Sequence, residues 1–401
     1  MQRASALSDR LPIAPIVALG ATQIIGYGTL YYSFSILAGD VAAHFSWPVE
    51  WIFGALSAAL LIGGLTAPWL GVMFDRIGAG PVMTIGSAIA ATALAACALS
   101  PNAIIYTVSL TVLQIAANLV QYGAAFALLV QLKPQVAARS ITYLTLIAGF
   151  ASTIFWPITA WLHAHLSWQS IYLVFAAMNL IICLPLHAWL AQGARKGRVA
   201  SHAATPEVEP SLPEGRRRLG FILMVAGFSL IAVCCSAVLV HMVPLLTGLG
   251  LGSSAALVGA LFGPAQVASR VINMVAGKNF PALGLAMLSA LLIAVGILVL
   301  PLTAPSAIGA MAFAILFGMG NGLLSIATGN LPLQLFGSRG YGKLQGKMMS
   351  ARLVLSAVAP FVFAVSMTGI GVAPSLVVIT VLGAIAAVSF LVIGRLARTA
   401  K

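Results

Sequence analysis

Twelve predominantly apolar stretches, each long enough to cross a bilayer, constrain this 401-residue chain more than any other feature. They run Leu11–Ala38, Trp47–Met73, Pro81–Ser100, Ala103–Gln131, Ser140–His163 and Trp168–Leu190, then Leu219–Thr247, Ser254–Ala276, Phe280–Leu300, Ala304–Pro332, Lys343–Thr368 and Ala373–Ile393. A hydrocarbon core ~30 Å thick calls for ~20 apolar residues per helix. Lipid offers no partners to backbone N–H and C=O groups, so each segment must satisfy its own as a helix. The period-two alternation of an outer-membrane barrel is missing from these continuous runs. Only 7% of residues are charged, against about 25% in soluble domains. The expected fold class is therefore an all-α integral membrane protein with twelve transmembrane helices.

The one long polar interruption, 191–218, holds nine of the 27 charged residues. It separates an N-terminal six-helix bundle, 1–190, from a C-terminal one, 219–401, and reads as a linker between two comparable halves. Six plus six segments is the layout of a carrier.

The net charge of +13 would suggest nucleic acid in a soluble protein. Here its placement argues otherwise. All 20 Lys and Arg lie on or face one side of the expected topology: Arg3 and Arg10, Arg76, Lys133 and Arg139, the linker, Arg270 and Lys278, the Arg339–Arg352 stretch, and Arg395, Arg398 and Lys401. The opposite loops, 40–50, 100–103, 163–170, 248–254, 301–306 and 369–374, have none. That asymmetry places both termini and the linker in the cytoplasm of a multi-pass inner (plasma) membrane protein. The lipid bilayer is the implied partner, and nucleic acid is not. Cys97, Cys183, Cys234 and Cys235 all fall inside apolar segments, with neither disulfide nor zinc spacing. No metal and no cofactor are expected. The run from Leu11 is too long for a signal-peptide core, so it is expected to stay as the first helix.

The loop after segment 2 reads Gly71-Val-Met-Phe-Asp75-Arg76-Ile-Gly78-Ala-Gly80-Pro81. An Asp–Arg pair between glycines can make a tight turn and dock charge on a neighbouring helix end. With the six-plus-six layout, this loop resembles that of the major facilitator superfamily, whose pattern is G-x-x-x-D-R-x-G-x-[R/K]. Gly71, Asp75, Arg76 and Gly78 match as the implied gating loop, and Gly80 stands where a basic residue is usual. Gly26-Tyr27-Gly28, Tyr31-Tyr32-Ser33-Phe34 and Ser46-Trp47 are similar to the monocarboxylate-porter and oxalate/formate-exchanger branch. The Gly-Pro antiporter pattern of segment 5 is replaced by Ile154-Phe155-Trp156-Pro157.

Charges within a membrane are costly and point to function. Arg270 lies eight residues before Lys278 and Arg352 nine after Lys343. At 1.5 Å per residue these are ~12 and ~13.5 Å into the membrane, against ~15 Å to the midplane. Each arginine either reaches back to the headgroups or turns inward to hold an anion, for which a planar guanidinium suits carboxylates. The resemblance implies the second, since basic residues on segments 8 and 11 hold substrate carboxylates in that branch. Gln266 shares a face with Arg270 at i, i+4, where an acid is usual. The seven acids, Asp9, Asp40, Glu50, Asp75, Glu207, Glu209 and Glu214, fall in tails, loops or segment ends. The candidates for proton coupling reduce to His241, with Asp40 and Glu50 at the outer mouth; His241 alone also reads as a packing residue. Gln23, Tyr27, Tyr31, Asn118, Gln121, Tyr122, Trp156, Asn273 and Asn321 are candidates for lining a substrate path or for tying helices together.

These readings give a secondary transporter, acting as a monomer, that moves a small organic anion (monocarboxylate or dicarboxylate) by alternating access. Without an acidic partner, an empty arginine site is costly to close off from water, which favours exchange or substrate-driven facilitation. The alternative is an efflux pump for a hydrophobic drug or toxic metalloid, with both arginines as gating or topological residues. An intramembrane enzyme is excluded by the lack of clustered acid, base and nucleophile.

Overall fold

A computed structural model describes residues 11–200, 207–252, 258–277 and 280–398. Arg3, Arg10, Lys278 and Lys401, on which part of the charge asymmetry rests, lie outside them. Among the described residues every element is helical. Eleven helical runs are long and apolar enough to cross a membrane. The remaining expected segment, 254–276, contains the helix Phe262–Ala276, and 253–257 are outside the described residues. The twelve-helix expectation is met in this form.

In chain order the first half contains α1 (Ile13–Tyr27), a π-helical turn (Gly28–Tyr32), α2 (Phe34–Phe45), α3 (Val49–Arg76) and α4 (Ala79–Ala98). There follow α5 (Ala103–Val120), α6 (Tyr122–Leu132), α7 (Ala137–Ala148), α8 (Ala151–His163), α9 (Trp168–Met178) and α10 (Leu184–Ala200). The second half has α11 (Arg217–Leu246), α12 (Phe262–Ala276), α13 (Ala282–Thr303), α14 (Ala307–Phe336), α15 (Tyr341–Ile370) and α16 (Val372–Arg398). The chain divides into two compact units. One runs up to Val208 and takes in Ser338–Ser350; the other comprises Glu209–Gly337 and the chain from Ala351 on.

Local chemistry sets the ends. Asn102, Ser167 and Ser306 accept the N–H of Ile105, Ser170 and Gly309 as N-caps of α5, α9 and α14. Gly337, at φ 79°, ends α14 in a conformation that glycine adopts without strain.

Within the first unit α4 packs against α5, α9 and α10, α3 against α5, and α1 against α7. Several spans are interrupted. A π turn separates α1 from α2, and a second one, Asn179–Cys183, separates α9 from α10. At Gln121 the backbone becomes extended, parting α5 from α6. Gln23 Nε2 donates to the Val120 C=O at 2.7 Å, satisfying a carbonyl at that break. Gly28 sits against the Phe155 ring, where a Cβ would overlap it.

The second unit repeats the scheme: α13 packs against α14 and α16, and α12 against α14. Glycines let α14 approach two neighbours at once. Gly318 and Gly322, one turn apart, face α12, and a Cβ at Gly318 would stand 2.6 Å from the Phe262 C=O. Gly320 faces α13, 2.9 Å by the same measure from the Ser289 C=O.

The end of the linker is bonded into place. The Ser211 and Leu212 N–H groups donate to the Gln334 and Leu335 carbonyls at 3.1 and 3.2 Å, satisfying acceptors in the last turn of α14. Nearby, Val208 and Ser338 exchange two bonds, Ser338 N–H to Val208 C=O at 3.2 Å and Val208 N–H to Ser338 Oγ at 3.1 Å. Leu212 is buried.

Candidate functional site

Arg270 is buried at 4% exposure. Its Nε donates to the Gly322 C=O at 3.3 Å and its Nη2 to Gln266 Oε1 at 3.4 Å. The close approach of α12 to the Gly318/Gly322 face of α14 is what brings the Gly322 carbonyl within reach. The side chain thus points into the packing of the second unit, held by a backbone carbonyl and by the amide one turn before it.

Asn321, beside Gly322, continues the network: its Oδ1 accepts from Cys235 Sγ at 3.5 Å. Arg352 lies on α15 and is half-buried. One turn on, Ser356 C=O accepts from Ser236 Oγ at 2.8 Å, tying α11 to α15. His241 makes a second tie, with its Nε2 3.0 Å from the Pro360 C=O and its ring beside Phe363. The structure therefore brings Arg270 and Gln266 into direct contact and sets Asn321 beside the Gly322 carbonyl that Arg270 reaches. His241 stands apart, on the α11–α15 seam.

In the first unit the candidate side chains fall into two sets. Gln23 and Asn118 are buried and bonded to backbone, Asn118 Nδ2 donating to the Gly63 C=O at 2.9 Å. The aromatic residues form a chain instead: Tyr122 to Tyr27 at 4.9 Å between ring centroids, Tyr27 to Tyr32 at 6.3 Å, Tyr32 to Trp156 at 5.9 Å. Tyr31 meets Tyr32 edge-on at 5.4 Å and is half exposed. Tyr32 is the hub that connects Tyr27, Tyr31 and Trp156, a role its neighbours in sequence did not single out.

The loop after α3 is built around Asp75. One carboxylate oxygen accepts the Gly342 N–H at 2.9 Å and the other the Lys343 N–H at 2.7 Å, at the N-terminus of the 30-residue α15. A negative charge there is favoured by the helix dipole and supplies partners for orphan donors. The approach needs glycine on both sides, since a Cβ on Gly71 would lie 2.9 Å from Gly346 Cα. Gly78 takes φ 101°, and Gln131 staples the turn, donating to the Phe74 C=O at 2.7 Å and accepting the Ala79 N–H at 2.9 Å. Arg76 is exposed. Gly80, where the family pattern has a basic residue, has no room for one: a Cβ would stand 2.7 Å from Ala191 Cα.

Two histidine contacts could not be anticipated from spacing. His187 is buried between Ser87 Oγ, 2.6 Å from its Nδ1, and Thr22 Oγ1, 3.0 Å from its Nε2. His163 Nε2 lies 2.6 Å from Asp40 Oδ2, joining the C-terminal end of α8 to the middle of α2. Among the described residues no group of three His, Cys, Asp or Glu could hold a metal ion.

The fold is that of an all-helical, multi-span membrane protein of two compact units. Residues 16–360 match the Major Facilitator Superfamily, and the chain belongs to that family of transporters, whose members bind small-molecule substrates in a membrane and are not enzymes. Compared with individual curated proteins, the sequence finds no match. Solved structures share the fold. The human organic anion transporter MFSD10 (TETRAN) superposes with a TM-score of 0.75 at 15% identity, over 95% of this chain and 100% of that one. The proton:xylose symporter XylE, bound to 6-bromo-6-deoxy-D-glucose, gives 0.74 at 13%, over 94% and 95%. FucP in its outward conformation gives 0.65 at 12%, over 94% and 98%.

Proposed function

We propose that this transporter carries a small organic anion, a mono- or dicarboxylate, as an exchanger or substrate-driven facilitator working by alternating access. The observation that carries the reading is the buried Arg270 guanidinium, bonded to a carbonyl and an amide, which are neutral acceptors. A planar guanidinium held in this way suits the two oxygens of a carboxylate. Arg352, half-buried on α15, is the second positive charge assigned to the site in this reading. The fold alone does not choose a substrate, because its structural neighbours are named for an organic anion and for a sugar. The tyrosine-rich first segment adds support for the monocarboxylate-porter and oxalate/formate branch.

In this reading Gln266 and Asn321 position the arginines, and Tyr27, Tyr31, Tyr122 and Trp156 offer an aromatic surface. Gln23 and Asn118 hold the scaffold behind it, and the Asp75 loop serves as the gate. The protein sits as a monomer in the inner membrane with both termini cytoplasmic, as the positive charges favour.

The test is counterflow in proteoliposomes loaded with unlabelled carboxylates. The expected result is saturable uptake of labelled carboxylate, lost in Arg270→Gln with insertion intact. Full transport in that variant, or extrusion of lipophilic cations in place of carboxylate exchange, would remove the reading and favour the efflux pump.

A further inference from the structure

The second unit gathers its surface charge at one corner. Apart from Arg270 and Arg352, every basic residue described in it lies where α11 begins or α16 ends: Arg216, Arg217 and Arg218 on one side, Arg395 and Arg398 on the other. Its acids are Glu209 and Glu214, both exposed in the stretch that leads into α11. The two helices pack against each other, closely enough at Gly227 that a Cβ would stand 2.8 Å from the Phe390 ring. Arg216 Nη1 donates to the Leu396 C=O at 2.9 Å. That bond brings the start of α11 against the last turns of α16 and sets a cation at the negative end of that helix. Arg217 is anchored too, its Nε donating to the Leu212 C=O at 3.3 Å.

Arg218 and Arg395 are the exposed pair of this corner. Residues three or four apart share a helix face. Arg218 therefore stands on the face of Ile222, and Arg395 on that of Leu391, with Val388 one turn further in. Ile222, Leu391 and Val388 are exposed apolar side chains, as is Leu219 next to Arg218. In a bilayer such faces meet acyl chains, and an arginine at the end of an apolar stripe reaches headgroup depth. The two features call for one partner with an anionic head and a hydrocarbon tail. A soluble anion would engage the arginines alone and leave their alignment with the stripes unused. Basic clusters between helix ends on the positively charged side of a membrane protein suit anionic lipid headgroups.

We propose that this corner binds an anionic phospholipid, its phosphate held by Arg218 and Arg395 and its acyl chains lying along Ile222, Leu391 and Val388. A phosphodiester offers the oxygens that a planar guanidinium fork matches. The Arg216 bond to Leu396 holds the two helix ends together at that headgroup. The proposal does not depend on which molecule is carried, and Arg270 plays no part in it.

The test is native mass spectrometry of the full-length protein in detergent, titrated with dioleoylphosphatidylglycerol and, as the zwitterionic control, dioleoylphosphatidylcholine. Wild type should bind phosphatidylglycerol roughly tenfold or more tightly than phosphatidylcholine, as each basic residue near an anionic headgroup is worth about fivefold. Arg218→Gln/Arg395→Gln should lower that affinity roughly tenfold or more, and Arg218→Lys/Arg395→Lys should keep most of it. Arg139→Gln/Arg339→Gln removes the same charge from exposed positions of the first unit and should leave the affinity unchanged. Equal affinity for the two lipids in wild type, or no loss in the Arg218/Arg395 glutamine pair, overturns the proposal. So does an equal loss in both glutamine pairs, which would mean diffuse attraction with no site. Displacement of the lipid by millimolar inorganic phosphate would make a soluble anion the occupant and overturn it as well. Wild type decides the matter even if a variant fails to insert: a phosphatidylglycerol affinity indifferent to salt counts against a charge-held headgroup.

Discussion

Asp75 accepts the backbone N–H of Lys343 at 2.7 Å, 268 residues further along the chain. With the Gly342 bond, one side chain caps two donors of α15 and places its charge at the positive end of that helix. Asp75→Asn keeps one acceptor but loses the charge, and Asp75→Ala loses both. Stability should fall in that order, Ala by about 0.5–2 kcal/mol as for a lost N-cap. Thermal unfolding in detergent ranks the three proteins. Equal midpoints for wild type and Asp75→Ala would mean that the bonds carry no weight.

Gly322→Ala should disturb transport without touching a charged group. The added methyl meets Gln266 on α12, and its neighbour Gly322 C=O holds Arg270. Overpacking of this kind costs about 1–3 kcal/mol, and the displaced α12 should lower exchange more than Gly263→Ala, where a Cβ meets open space. Initial rates of counterflow in the two variants decide it.

Gln23→Leu leaves the Val120 carbonyl at the α5–α6 break without its side-chain donor. An unmade buried bond of this type costs about 1–3 kcal/mol. His187→Ala should cost a similar amount, since Ser87 loses its partner and Thr22 keeps only its bond to the Leu19 C=O. Chemical denaturation of the purified variants would show both, and a loss under a few tenths of a kcal/mol in either would count against the bond being formed.

His241→Gln keeps a donor for the Pro360 carbonyl, which is the contact the structure gives this side chain. The pH profile of transport should therefore match the wild type. A flattened profile would return His241 to the role of proton carrier.

The helices and their number were legible because a bilayer demands long apolar runs, and the loop at 71–80 because its charges and glycines are close in sequence. What spacing could not convey is which partners meet across the fold. Arg270 and Arg352 stood out as charges in apolar surroundings, but the bonds of Arg270 to Gly322 and of Cys235 to Asn321 depend on how α11, α12 and α14 pack. Gln23 and Asn118 read equally as ligands or ties, and only their bonds to Val120 and Gly63 show what they touch here. Tyr32 was legible only as part of the aromatic run of the first segment, and His187, a lone histidine in an apolar helix, carried no local signal. Gly80 departed from the family pattern for a reason seen only in three dimensions, the nearness of Ala191.

The bonded end of the linker bears on how the protein can be engineered. Peptide inserted between Val208 and Leu212 would have to unzip four backbone-anchored contacts at Ser338, Gln334 and Leu335. Epitope tags, fluorescent fusions or protease sites belong upstream of Glu207, where splicing leaves that seam untouched.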